Sequence, residues 1–170
     1  MANTYVAIST ATVGSGGSAS MIFNSIPATY TDLLVKVSAR GDTSALYGYL
    51  YVKINTSTTN YSGRILYGDN ATVGAANNSG TVLNPGLVTM ATATTSTFAN
   101  SEFYIHNYSG GTNKPVSGYG VGETNSTHGM LYIMGQLWSD SAAITTLTLT
   151  PDSGNFVQYS TATLYGIKSS

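Results

Sequence analysis

Cysteine is absent from this chain of 170 residues, so no disulfide staples it and its redox compartment leaves no mark. Charge is almost as scarce. Six Lys and Arg against seven Asp and Glu make up only 8% of the residues. That argues against a nucleic-acid partner, whose phosphates need clustered cations, and against an acidic solvating tail. No apolar run approaches the roughly 20 residues of a membrane helix. Met1-Ala-Asn-Thr-Tyr5 lacks the basic start and apolar core of a signal peptide. No segment carries apolar residues at i, i+3 and i+4 over three turns, so helices are not expected.

What is present is 42% hydrophobic residues and 13 tyrosines, too much apolar surface for a disordered tract. Ser, Thr, Asn and Gly supply the solubility that charge does not, as on many extracellular or particle-bound β-proteins. A chain of this length buries about 70% of its unfolded surface and needs no metal or disulfide support. The expected unit is one domain over 1–170, antiparallel and all-β, with nine or ten strands in a sandwich or barrel.

Period-two alternation carries that expectation. Leu33, Val35, Val37 and Ala39 alternate with Leu34, Lys36, Ser38 and Arg40. Leu46, Leu50, Val52 and Ile54 share a face with Gly48, and Tyr47, Tyr49, Tyr51 and Lys53 share the other. Phe103 and Ile105 point inward, with Tyr104, His106 and Tyr108 opposite. In Met130–Trp138, Leu131, Ile133 and Leu137 oppose Tyr132, Met134 and Trp138. Gly68 to Gly80 reads as the most mobile loop, and Pro85-Gly86 splits two strands at Thr81–Leu83 and Leu87–Ala93. The last strand, Ala162–Lys168, is apolar on both faces and is expected inside the fold. The expected core is Leu33, Val35, Val37, Leu50, Val52, Phe103, Ile105, Leu131, Ile133, Leu147, Leu149 and Leu164.

Chemistry is sparse. Asp32, Asp42, Asp69, Glu102, Glu123, Asp140 and Asp152 fall mostly in turns, and no spacing suggests a metal loop or an acid/base dyad. His106 and His128 have no ligand-type neighbours in sequence. No catalytic, metal or cofactor residue is therefore assigned. Gly118-Tyr-Gly-Val-Gly122 lacks the strand–loop–helix setting of a phosphate loop. Its alternating glycines instead clear one row of a strand for a neighbouring ring or backbone. Arg40-Gly41-Asp42 matches a cell-adhesion tripeptide but sits where a strand turns over. Sequons at Asn55, Asn60, Asn70, Asn77, Asn107 and Asn125 are expected by composition and, with no secretion signal, are expected to go unused.

The tyrosines are the most informative side chains. Tyr47, Tyr49 and Tyr51 line one strand face, and Tyr104 and Tyr108 another. Exposed, such ladders suit subunit contacts or stacking on sugars. Packed, they add about 0.2–1 kcal/mol per cross-strand pair to the sheet. The five residues are the candidate assembly or glycan contacts.

Four stretches together resemble a group of tailed-bacteriophage virion proteins, found in phages of marine bacteria and cyanobacteria. They are Phe23-Asn-Ser-Ile-Pro27-Ala-Thr-Tyr-Thr-Asp-Leu33, Asn60-Tyr-Ser with Arg64-Ile-Leu-Tyr-Gly68, Trp138-Ser-Asp-Ser-Ala-Ala-Ile-Thr145, and Ala162-Thr-Leu-Tyr-Gly-Ile-Lys168. The resemblance runs from about residue 20 to the end of the chain. It implies a single jelly-roll-like β-sandwich without enzymatic role or cofactor, carried on the virion surface and made in the host cytoplasm. The lack of a long N-terminal shaft favours a head decoration, cement or knob protein over a tail fibre. The expected partners are the major capsid protein and two further copies in a homotrimer. The rival expectation is a tail-fibre or spike module that recognises host carbohydrate through the same rings. A glycan depolymerase ranks third, for want of a carboxylate pair.

Overall fold

The computed structural model describes residues 4–69, 72–125 and 129–168, and every regular element among them is a strand. In chain order these are β1 (Tyr5–Thr12), β2 (Met21–Phe23), β3 (Asp32–Ala39), β4 (Tyr47–Ile54), β5 (Tyr61–Asp69) and β6 (Thr72–Gly80). β7 (Leu83–Thr89), β8 (Ala99–Ile105), β9 (Lys114–Gly122), β10 (Met130–Trp138), β11 (Leu147–Pro151) and β12 (Thr161–Ile167) follow. The count is twelve, above the nine or ten expected. The Gly68–Gly80 segment is one reason: its described residues are strand rather than loop, with β6 paired to β5 from Asp69↔Thr72 to Tyr61↔Gly80.

All strand pairs are antiparallel, in an eight-stranded sheet β1-β12-β3-β8-β9-β10-β5-β6 and a four-stranded sheet β2-β11-β4-β7. With β1 and β12 set aside and the meander β8–β9–β10 counted as one unit, β2-β11-β4-β7 opposes β3-(β8, β9, β10)-β5-β6. That is the strand order of a jelly roll. The meander widens one sheet, while β12 and β1 extend it past β3.

The core lies between the sheets. Leu33, Val35, Val37, Leu50, Val52, Phe103, Ile105, Leu147, Leu149 and Leu164 are all buried, as the alternation required. Leu131 and Ile133 are not: they are 46% and 47% exposed, and β10 instead buries Met130, Tyr132, Met134 and Trp138. Both faces of this strand are apolar, so the choice falls to size and to partners for the polar tips. Tyr132 donates to the Asn84 carbonyl at 3.1 Å, Trp138 Nε1 reaches Ser57 Oγ at 3.4 Å, and Trp138 stacks on Tyr61 at 6.5 Å. Leu46, just before β4, is likewise exposed rather than in register with Leu50.

β7 runs unbroken through Pro85-Gly86, although two strands were expected there. It can, because it is an edge strand of the small sheet and its pairing with β4 is irregular between Leu50 and Val52, the settings that tolerate proline. β7 packs on the inner face of the large sheet, where Gly120 admits it: a Cβ there would stand 2.8 Å from the Leu87 nitrogen and 3.1 Å from Gly86 Cα. The glycine row of β9 thus clears space for backbone, as its spacing suggested. β12 lies between β1 and β3, with Leu164 in the core and Tyr30 packed over Gly166.

Candidate functional site

The outer face of the large sheet carries an apolar stripe. Register places Val121, Leu131, Gly68 and Val73 side by side across β9, β10, β5 and β6. The adjacent row is Tyr119, Ile133, Leu66 and Ala75. Val121, Leu131, Val73, Tyr119, Ile133 and Leu66 are between 44% and 87% exposed. Neighbouring strands lie about 4.8 Å apart, so this is one continuous surface. Tyr104, Ser117 and Tyr119 border a shallow apolar depression with Leu131 and Ile133. Beyond it the face turns polar, with Lys36 paired to Glu102 at 2.9 Å across β3 and β8. Soluble domains rarely leave a contiguous apolar surface of this kind open, and such patches mark interaction sites. Sequence reasoning missed it by assigning Leu131 and Ile133 to the core. Its signal was the double apolar face of Met130–Trp138.

The five candidate tyrosines do not form one surface. Tyr47, Tyr49 and Tyr51 stand on one face of β4, each half-buried. Tyr49 contacts Tyr47 edge-on at 6.3 Å and leans on Tyr132 at 5.9 Å. Together with Tyr67, Asn77, Asn78 and Asn84, Tyr49 and Tyr132 line a small cleft beside the β5–β6 hairpin. Burial is the main cause that raises the phenol pKa of Tyr47, Tyr49 and Tyr51, with Asp69 adding to it at Tyr47 and Asp152 at the other two. Two buried amide atoms at or behind the cleft, Asn84 Oδ1 and Gln136 Nε2, have no hydrogen-bond partner among the described residues. Tyr104 lies on the outer face of β8. Tyr108 corrects the expectation that it would share that face: it falls in the turn after β8, is wholly buried, and donates to the Pro27 carbonyl. The strand alternation ends at Ile105, so its period no longer governs residue 108.

The fold assembles one polar cluster that spacing did not reveal. Asp32 opens β3 and Tyr104 lies near the end of β8, on neighbouring strands. The Asp32 carboxylate accepts from the Tyr104 hydroxyl and from the Asn107 amide at 2.7 Å, and pairs with His106 Nδ1 at 2.9 Å. Burial, followed by the hydrogen bond to Asp32, pushes the Tyr104 phenol up to about 12. A carboxylate engaged by three donors, beside a phenol held protonated, clamps two strand ends and offers no ready nucleophile.

Other conspicuous residues serve the scaffold. Arg40 donates to the carbonyls of Thr94, Thr97, Ala91 and Ala93 at 2.8–3.1 Å, and Asp42 accepts from the Asn155 amide at 2.8 Å. The adhesion-like tripeptide is thereby spent on holding loops. Asn55, Asn60, Asn107 and Asn125 all have positive φ, between 48° and 71°, a conformation asparagine tolerates at turns. Asn77 is exposed on β6, and Asn70 and His128 lie outside the described residues. Lys114 is fully buried and donates to the Gly110 and Thr112 carbonyls, and burial lowers its pKa. Among the described residues no group of three or more His, Cys, Asp or Glu could hold a metal.

The class these features define is an antiparallel jelly-roll sandwich with an open apolar face on its larger sheet. Compared with known proteins, the chain matches no family model and no curated protein.

Proposed function

We propose that this domain is a non-enzymatic structural protein of a bacteriophage virion, a head decoration, cement or knob protein acting by protein–protein assembly. The observation that carries the reading is the stripe of Tyr119, Val121, Leu131, Ile133, Leu66 and Val73. Its removal from water would contribute about 25 cal/mol for each Å² covered. With so few charges there is little long-range steering, so docking relies on shape and apolar burial. The four stretches that resemble phage virion proteins supply the setting, with the major capsid protein as the partner. Locating the protein in purified particles tests this. High copy number over the shell is expected, and Leu131→Asp with Ile133→Asp should abolish incorporation of a still-folded protein. Density confined to the tail tip would overturn the head reading.

A second reading, a receptor-binding module for host glycan, is favoured by the cleft at Tyr49, Tyr67 and Tyr132. Aromatic walls with amides from Asn77, Asn78 and Asn84 are the chemistry that holds a sugar ring. In that case Tyr49→Ala would remove binding to glycan arrays and spare particle incorporation.

A further inference from the structure

We infer that β6 is the strand through which two copies of this chain pair, edge to edge and antiparallel, about a two-fold axis. The two sheets have four edges, and three carry a device against such pairing. β1 breaks register between Ala7 and Ser9. β2 is three residues long. β7 contains Pro85 and pairs irregularly with β4. β6 has none of these: Thr72–Gly80 is nine residues without proline or charge, in unbroken register with β5. Its outer edge ends the strand order of the large sheet.

The composition of β6 selects a second copy as the occupant. A strand that meets its own copy about a dyad sets residues near the axis against the same or nearly the same residues. Like charges opposite one another destabilise such a pair, and β6 has none. Gly74, Ala75 and Ala76 at its centre permit close approach. Asn77 and Asn78 each carry both donor and acceptor, so an asparagine can bond to an asparagine of the other copy. An isologous pairing also closes on itself, whereas pairing β6 head-to-tail with the bulged β1 would not close as a dimer. The dyad stands normal to the sheet, so the outer faces of both copies point the same way. The two stripes, each reaching Val73 on β6, then lie on the same side of the dimer.

The test uses the full chain in solution. Native mass spectrometry and light scattering should give twice the chain mass, and hydrogen exchange should show the 72–80 amides protected in that species. Ala75→Lys or Asn77→Lys should give a monomer with unchanged circular dichroism that still melts cooperatively, at a temperature lowered only by the lost association. Mixing Ala75→Lys with Ala75→Glu should restore a heterodimer, which separates a lost interface from a lost fold. A monomeric or trimeric parent, Lys variants that remain dimeric, or folded Lys and Glu variants that fail to associate would each overturn the pairing.

Discussion

Gly120 of β9 and Gly86 of β7 face each other across the sandwich, with the position a Gly120 Cβ would occupy only 3.1 Å from Gly86 Cα. The small sheet can approach this closely because neither residue has a side chain. Ser101 uses the proximity, its hydroxyl accepting from the Leu87 amide at 2.9 Å and donating to the Leu87 carbonyl at 3.0 Å. An edge strand is thereby anchored to the opposite sheet by hydrogen bonds as well as by packing.

Gly120→Ala should therefore destabilise the domain by overpacking, by about 1–3 kcal/mol. Alanine at Gly68, where an added Cβ meets nothing within 4 Å, should have little effect. Chemical denaturation of the two variants side by side checks the contrast.

Leucines on the two sides of the large sheet should respond oppositely. Leu164→Ala truncates a fully buried side chain on β12 and should cost about 2–5 kcal/mol. Leu131→Ala removes a side chain that is nearly half exposed, and the melting temperature should stay close to that of the parent. Equal losses would mean that Leu131 belongs to the core after all.

Arg40→Lys should loosen the 91–97 loop. An ammonium cannot reproduce the guanidinium fork that reaches four loop carbonyls. Loss of these charge-assisted bonds should cost on the order of 2 kcal/mol, with faster proteolysis in that loop. The parent protein should also fail to support integrin-type adhesion, since both charged side chains of the tripeptide are engaged internally.

The Tyr104 phenol predicts a loss of stability in alkali. Its folded pKa stands at about 12 against an ordinary 10.0, so the unfolded chain releases this proton first. The contribution is intact below pH 10 and disappears as pH rises toward 12. Asp32→Asn removes the charge and the carboxylate hydrogen bond, leaving burial as the remaining large cause, and should shift the titration downward. Tyrosinate absorbance followed against pH reads both effects.

The sandwich was legible where one face of a strand is apolar and the other polar, as at Leu33–Arg40, because period two then admits a single register. Met130–Trp138 offers apolar residues on both faces, and a shift of one residue exchanges them without changing the pattern. Only the space available to Trp138, and the partners for Tyr132 and Gln136, decide the phase. β6 was illegible for another reason: Gly, Ala and Asn have poor intrinsic strand preference, and pairing with β5 supplies what propensity lacks. The apolar stripe was hidden by both effects, since it joins the misphased face of β10 to the strand read as loop. Asp32, Tyr104 and His106 escaped notice because a cluster made across neighbouring strands leaves no mark in spacing along the chain.

β1 has a single strand neighbour, and that neighbour is β12: Thr10 and Thr163, whose hydroxyls meet at 3.0 Å, are 153 positions apart. During synthesis β1 emerges well ahead of β12 and must wait for it before it finds its place. β3 meanwhile keeps one side open until β12 arrives. Completion of this sheet is therefore slow, as sequence-distant pairings require. The interval before β12 docks is when nascent chains are most exposed to sticking to one another. Low temperature or chaperone supply during expression should govern the yield more than the final stability does.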